Sequence, residues 1–417
     1  MMQKSNRRLL LISHHNSYRI APYIKAAINL GLEVTIASEG KHSLVSEVAN
    51  GIHVNFSDRD LTLEKILEEN SRHRFAGVLG SDDQTVELAA YIARDLGLPH
   101  NPPRSANYTR RKDLARTRLS ETGCSVPFHK ILKLSSSLDD NLDDLPWPCV
   151  LKPLNMSASR GVIRADDKKQ FIAAAERLQN IISESDDEFE RTHILIEEYI
   201  DGYEIAFEGY LQDGVLKQIA IFDKPEPLCG PYFAETIYIT PSSLHKDTVD
   251  AVEATVQQAC QAYGLVTGAV HAECRIDKNN RTWILEIATR TIGGDCARTL
   301  DQEDFNLEEL AVRLAINEHV ESNTPEQIRA VMMLPVTEKG MLRRVEGLLD
   351  ARKVEHIDMI DIVISEGHEV IPLPEGNQYL GYIFASGNNR DPVLESIHDA
   401  YSRLKFIIVP IFAIASS

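Results

Sequence analysis

Two glutamates interrupt apolar, strand-like runs: Glu273 in His271-Ala272-Glu273-Cys274-Arg275 and Glu286 in Leu285-Glu286-Ile287-Ala288-Thr289-Arg290. An ionised carboxylate among apolar residues is costly unless a cation or hydrogen-bond donor answers it. The runs Ala269–Ile276 and Thr282–Ile287 read as strands joined by the turn Asp277-Lys278-Asn279-Asn280-Arg281, so a hairpin brings the two carboxylates side by side. Two hard oxygen ligands of this kind suit Mg²⁺, with substrate phosphates completing its shell. For either glutamate taken alone, a solvent-facing place on an edge strand is an equal reading.

Other residues extend that chemistry. Lys112 lies in the basic run Arg110-Arg111-Lys112-Asp113-Leu114-Ala115-Arg116, and Lys152 ends the apolar strand Cys149-Val150-Leu151. A lysine at a buried strand end calls for an anionic partner. The loop Asn155-Met156-Ser157-Ala158-Ser159-Arg160-Gly161-Val162 that follows can turn backbone N–H groups and hydroxyls toward phosphates, although such a loop alone is more often a plain connection. In Glu197-Glu198-Tyr199-Ile200-Asp201-Gly202-Tyr203-Glu204 a strand runs into a turn, where main-chain groups can read an adenine edge and Glu204 can hold ribose hydroxyls. His14-His15 follows the first strand, at the carboxyl edge where open α/β sheets bind ligands, but two adjacent histidines alone do not make a metal site.

The elements that must position these residues follow from periodicity. Leu9–Ser13, Val34–Ala37 and Gly77–Gly80 read as parallel strands, with helices over Ala21–Leu30 and Gln84–Leu96, the pattern of a layered α/β unit. The turn after the first strand lacks G-x-G-x-x-G, which argues against a nicotinamide or flavin enzyme. A basic helix over Asn107–Glu121 and a surface connection over Ser135–Asp144 come next. An α+β lobe then alternates the strands Cys149–Lys152, Ile194–Tyr199, Glu204–Leu211 and Lys217–Asp223 with the helix Lys168–Ile182, the acidic segment Glu184–Arg191 lying between that helix and the next strand. A helix over Thr248–Tyr263 precedes the hairpin, and after Pro325 short strands and turns lead to a helix near Pro392–Leu404 and an apolar tail.

With 417 residues, 43% of them hydrophobic, the chain has material for two to four domains. Its net charge of −18 argues against general affinity for nucleic-acid backbones. It has no apolar run of membrane-spanning length, and its first residues do not read as a secretory signal. Six scattered cysteines without a CxxC pair signal neither structural zinc nor a disulfide framework. A cytoplasmic protein without membrane or nucleic-acid partners is the expectation.

Taken in order, Lys112, Lys152-Pro153 with the Ser/Gly loop, Glu197-Glu198 to Glu204, Glu273, Glu286 and Arg290 resemble the ATP-grasp superfamily. Lys339–Gly347, Pro372-Leu373-Pro374-Glu375-Gly376, Leu380–Ile383 and Ala385-Ser386-Gly387 are similar to the C-terminal domain of L-amino acid ligases of the bacilysin-synthetase type, and Gly268-x-x-His271-x-Glu273 and Tyr232–Thr236 are similar to the same group of ligases. The resemblance implies an α/β and α+β protein of ATP-grasp fold. It divides the chain into an N-terminal parallel α/β domain over 1–108, an ATP-grasp domain over 109–322 with a mobile lid lobe over about 135–208, and a C-terminal α+β extension over 323–417. It implies a ligase that activates an amino-acid carboxylate with ATP as an acyl phosphate and joins it to a second amino acid's amine, giving a dipeptide-like amide. Other ATP-grasp ligases, of purine or cofactor biosynthesis or biotin-carboxylase-like, and a non-catalytic nucleotide-binding regulator are the alternatives.

The residue roles it implies are these. Lys112 and Lys152 neutralise phosphates, Ser157, Ser159 and Gly161 close over the γ-phosphate, and Glu197, Glu198, Ile200 and Glu204 hold the nucleoside. Glu273 and Glu286 bind one or two Mg²⁺ or Mn²⁺ ions, and Arg290 stabilises the oxyanion or binds substrate. His271 lines the amine site or takes its proton, unless it is a structural histidine. Gly293 and Gly294 let the backbone approach substrate, and Glu235 contacts substrate or metal. A homodimer is also implied. Two departures stand out: Ala288-Thr289 replaces the Asn-Pro common before this arginine, and the phosphate loop has a single glycine.

Overall fold

In the computed structural model the described residues are 7–39, 50–134, 142–303, 305–321 and 327–411. The N-terminal unit is a parallel sheet in the order Asn50–His53, Glu33–Ser38, Arg8–Ile12, Phe75–Gly80. Arg8–Ile12 is buried throughout, as expected of a strand covered on both faces. Helices Ile20–Asn29 and Val86–Asp95 lie where the periodicity predicts them. The helix Arg59–Arg72 was not expected: it is polar on most sides, buries only Thr62 and Ile66, and starts at Asp58, whose carboxylate accepts from Leu61 N–H. The basic helix expected over 107–121 is two helices, Pro103–Tyr108 and Lys112–Glu121. The extended backbone of Arg111 (φ −100°, ψ 103°) separates them, so Lys112 opens the second helix and gives its N–H to Leu154 O, 2.9 Å.

A small antiparallel sheet follows, in the order His129–Lys133, His193–Glu198, Cys149–Lys152, Ile163–Ala165. Helix Lys168–Ile182 covers it, burying Phe171, Leu178, Ile181 and Ile182. This unit spans 129–198 rather than 135–208. The strand Tyr203–Gln212 belongs to the central sheet, because its inward residues need the long apolar face that only its neighbours Gly268–Ile276 and Val215–Asp223 supply. Of the connection expected over 135–144, residues 135–141 lie outside the described residues, Leu142 is buried, and Asp143 and Asp144 are exposed.

The central sheet has eight strands, ordered Thr282–Ala288, Gly268–Ile276, Tyr203–Gln212, Val215–Asp223, Ile237–Thr240, Ile328–Pro335, Tyr379–Gly387, Ile357–Ile362. The last three come from the region expected to be a separate extension. Ile237–Thr240 is buried at every residue and would expose an apolar edge without a partner. Ile328–Pro335 pairs with it from Ile237↔Met332 to Thr240↔Arg329. Of the described C-terminal strands, only Gly340–Glu346, Glu369–Val370 and Lys405–Val409 form a sheet apart from the central one. Part of the expected apolar tail is therefore a strand, after helix Arg390–Arg403 has buried Val393, Ile397 and Ala400. Among the described residues no helix is long and apolar enough to cross a membrane.

Candidate active site

Strand Gly268–Ile276 alternates between the two faces, while a bulge at Leu285 in its partner Thr282–Ala288 sets Glu286 rather than Leu285 opposite Glu273. Ala272, Cys274 and Ile276, with Ile205 and Phe207 on the neighbouring strand, point into the core, which turns His271, Glu273 and Arg275, with Glu204 and Glu208, to the opposite face. There the register pairs Glu273 with Glu286, His271 with Glu208 and Arg275 with Glu204. This polar face floors a cavity of about 740 Å³. The carboxyl edge of the N-terminal sheet (His14, Tyr18, Asp82, Asp83), the small sheet with its loop, and the C-terminal residues Met333, Tyr379 and Tyr382 wall it.

Of the residues singled out from sequence, Lys112, Lys152, Ser157, Ser159, Glu197, Glu198, Ile200, Glu204, Glu235, His271, Glu273, Glu286, Arg290, Gly293 and Gly294 line this one cavity. Gly161 does not. It packs where a Cβ would meet Leu178 Cδ1 at 2.9 Å and Pro153 Cγ at 3.1 Å, and its N–H goes to Pro374 O, 2.9 Å, so this amide is engaged by the C-terminal region rather than turned to a phosphate.

Lys112 Nζ stands 3.1 Å from Glu286 Oε2 and donates to Met156 O at 2.9 Å. Lys152 Nζ donates to Glu197 Oε2 at 2.6 Å, while Arg116 takes the other oxygen. Burial pushes the Glu197 carboxyl up, but Arg116 and Lys152 outweigh it and bring it down to about 2. Glu197 is thus an anchor for Lys152 rather than a nucleoside contact. The main chain beyond it is also largely committed: Glu198 N–H goes to Phe128 O, Tyr199 N–H to Pro148 O, and Ile200 O accepts from Arg275 at 2.8 Å.

Glu204 does not present a free carboxylate for a ribose, since Lys224 takes Oε1 and Arg275 takes Oε2, each at 2.8 Å. Lys224 was missed in the sequence, although it follows an apolar strand as Lys152 does. Its Nζ also reaches Glu235 at 2.7 Å and Glu273 at 3.3 Å. Burial alone would lower its pKa; Glu204, Glu235 and Glu273 overcome that and raise it well above the usual lysine value. Oxygens of these three carboxylates gather closely enough for a metal ion, but the Lys224 ammonium sits against all of them, so the cation of this cluster is the lysine. Burial raises the Glu235 carboxyl to about 7, with Lys224 opposing and Glu273 adding to the rise. Glu273 is held low, against burial, chiefly by Lys224 and by the neighbouring His271, 3.8 Å away; of this pair it carries the charge.

Glu273 and Glu286 are the adjacent carboxylates that remain partly open to the cavity, at 23% and 26% exposure. Two carboxylates with hard oxygens, lining the same cavity as the Ser157–Ser159 loop, fit Mg²⁺ or Mn²⁺. Ala288, buried two residues beyond Glu286, contributes no oxygen.

His271 is hydrogen-bonded through Nδ1 to Glu208, a partner not singled out from sequence. Burial would lower the ring's pKa, yet Glu208 outweighs it and raises it to about 9. The ring is therefore an imidazolium at neutral pH and a poor acceptor for an amine's proton, contrary to one of its expected roles. Because the folded value lies above the unfolded one of about 6.5, its contribution to stability is complete below about pH 6.5 and is lost as pH rises through about 9. An NMR titration of the ring Cε1–H should show a midpoint near 9, moving down in Glu208→Gln; a midpoint near 6.5 in the parent protein would contradict the pairing.

Arg290 is fixed from the N-terminal unit. Asp83 Oδ1 and Oδ2 accept from its Nε and Nη2, both at 2.8 Å, and Nη1 reaches Thr291 O at 3.1 Å. The rest of the segment is clamped likewise. Arg19 donates to Thr291 Oγ1 (2.8 Å) and Ile292 O (3.0 Å), Glu208 accepts from Ile292 N–H (3.2 Å), and Tyr18 Oη accepts from Gly294 N–H (2.9 Å). Gly294 has φ +60°, and a Cβ there would lie 3.2 Å from Met333 Sδ, so glycine meets both the conformation and the space.

Comparisons with known proteins agree with this architecture. Residues 24–100 match the ATP-grasp N-terminal domain, 145–299 the ATP-grasp domain, and 332–409 the L-amino acid ligase C-terminal domain 2. The chain is 28% identical over 268 residues to alanine–anticapsin ligase of Bacillus subtilis, covering 59% of this chain and 56% of that protein. It is 26% identical over 255 residues to dapdiamide A synthase of Enterobacter agglomerans, covering 59% and 58%. The chain thus spans little more than half the length of these curated relatives. An L-amino acid ligase from Bacillus licheniformis superposes with a TM-score of 0.84 at 24% identity, over 97% of this chain and all of that one. The chain has the ATP-grasp fold, and its residues 332–409 match the C-terminal domain of the L-amino acid ligases.

Proposed function

We propose that this protein is an ATP-dependent carboxylate–amine ligase that joins two amino acids, releasing ADP and phosphate. The observation that carries the reading is the gathering in one cavity of two lysines, a pair of adjacent carboxylates and a fixed arginine: Lys112, Lys152, Glu273, Glu286 and Arg290. That set suits phosphoryl transfer to a carboxylate, in which positioning and charge stabilisation do most of the work. The names of the relatives, an alanine–anticapsin ligase and a dapdiamide synthase, support the same class of reaction.

In this reading Lys112 and Lys152 sit against the phosphates, each already oriented by a carboxylate, and Ser157 and Ser159 offer hydroxyls and backbone amides from the loop above them. Glu273 and Glu286 would hold Mg²⁺ or Mn²⁺, which when bound offsets the charge of the phosphates. The first amino acid's carboxylate attacks the γ-phosphorus to give an acyl phosphate; the second amino acid's amine then adds to the acyl carbon and phosphate leaves. Arg290, held by Asp83, keeps one N–H on each terminal nitrogen for the oxyanion of that addition. The His271 imidazolium adds positive charge at this end of the cavity rather than a base.

The experiment is phosphate release from MgATP with amino acids supplied singly and in pairs, with mass analysis of the products. A new amide of two amino acids formed together with ADP is the expected result. Nucleotide cleavage with a different acceptor, or none with any pair, would remove the amino-acid ligase reading.

A further inference from the structure

The loop that covers the phosphate end of the cavity is unusual in its backbone. Ala158 and Ser159 are both left-handed, each with φ 54°, a conformation that non-glycine residues hold only when their surroundings impose it. One end of the loop is tied to the lysine side of the site, where Lys112 N–H binds Leu154 O and Lys112 Nζ binds Met156 O, both at 2.9 Å. The other end is tied to the C-terminal region, through the turn whose residues Pro372–Gly376 drew notice in the sequence without a role. Gly161 N–H donates to Pro374 O at 2.9 Å, and Arg160 Nε donates to Glu375 O at 2.8 Å. The Glu375 carboxylate in turn receives both Nε and Nη2 of Arg177, the latter at 2.8 Å. Arg177 lies on helix Lys168–Ile182, the helix against which Gly161 packs through Leu178.

The fork of Arg177 on Glu375 and the two backbone-acceptor bonds therefore bridge three parts of the chain: the phosphate loop, the helix behind it and the C-terminal turn. We infer that Glu375 is a positioning residue: its carboxylate, gripping Arg177, holds the Pro374–Glu375 turn against the loop and so keeps residues 157–161 in the closed, phosphate-covering conformation. This rests on the reading of the cavity as an ATP site. Glu375 and Arg177 are about two-fifths exposed, 39% and 41%, so the pair's own strength is modest. Its consequence is on a population: if the pair is lost, the share of chains with the loop closed falls, and apparent nucleotide affinity falls with it.

The test compares wild type, Glu375→Gln, Glu375→Arg and the exchange Glu375→Arg/Arg177→Glu, measuring the KM for ATP, kcat, and the rate at which MgADP dissociates. Glu375→Gln should raise the KM for ATP roughly threefold, and Glu375→Arg, which sets a cation against Arg177 and Arg160, about tenfold or more. MgADP release should quicken in step, and kcat should change by less than about twofold. The exchange should recover most of the lost affinity, which a turn that merely needed a glutamate for folding would not do. Unchanged KM and MgADP release in both single variants, or two singles that lose affinity and an exchange that recovers none, overturn the proposal. Should Glu375→Arg not fold, Glu375→Gln decides alone. A wild-type chain that fails to bind MgADP would overturn the ATP reading itself, and the proposal with it; wild-type binding with indifferent variants overturns the proposal alone.

Discussion

Glu286→Gln is expected to lower ATP-dependent phosphate release by about 10²–10³-fold, the range for removing one preorganised charge-stabilising group from an active site. The fold should be nearly untouched. Glu286 lies on the edge strand Thr282–Ala288 of the central sheet, is 26% exposed, and among the described residues has Lys112 as its ion-pair partner. Lys112 keeps its bond to Met156 O when that partner is neutralised. Loss of an ion pair this open changes stability by about 0.5–1 kcal/mol. A variant that turns over normally with a native melting curve would take Glu286 out of the chemistry. One that unfolds would make it a structural residue.

Asp83→Ala should behave in the opposite way, costing about 3–5 kcal/mol of stability, because it strands the Arg290 guanidinium inside the protein. Both partners are nearly buried, at 14% and 11% side-chain exposure, and both Nε and Nη2 of Arg290 depend on Asp83. Burial pushes the Asp83 carboxyl up, and Arg290 pulls it down by more. Paired with an Arg290→Ala change, the loss should shrink, since the orphaned charge is then gone. Urea unfolding of the two single variants and the double measures this. An Asp83→Ala chain as stable as its parent would show that the pair does not join the N-terminal unit to the hairpin segment.

These two residues also mark what the sequence could and could not convey. Glu273 and Glu286 were legible because a carboxylate inside an apolar strand breaks a local pattern; that they stand opposite each other depends on a bulge at Leu285, without which the Asp277–Arg281 turn would set Leu285 against Glu273. Glu204 and Glu208 obey the same alternation on the neighbouring strand; Glu204 was given a nucleoside role, whereas its partners are Lys224 and Arg275. Strand-end Lys224 carried the same signal as Lys152 and went unread. Asp83 was not legible, because it meets Arg290 across 207 residues and nothing local in Asp82-Asp83 distinguishes it from a solvated turn.

The fold divides similarly. Three of the four N-terminal strands and the two hairpin strands follow from periodicity within single segments, whereas the edge strand Asn50–His53, exposed at three of its four residues, carries no such period. The joining of the C-terminal strands to the central sheet depends on Ile237–Thr240, four residues whose pairing to Ile328–Pro335 no local period announces. The resemblance gives Gly161, the single glycine of the phosphate loop, a place over the γ-phosphate. Its surroundings show it to be a packing position, pressed on Leu178 and bound by Pro374.

The most direct measurement of the central claim is isotope transfer. With ATP, Mg²⁺ and a first amino acid labelled with ¹⁸O in both carboxylate oxygens, the acyl-phosphate route carries one labelled oxygen into phosphate when the second amino acid's amine displaces it. Each amide formed should therefore be matched by one phosphate bearing a single ¹⁸O. Unlabelled phosphate accompanying amide formation would contradict attack of the carboxylate on the γ-phosphorus.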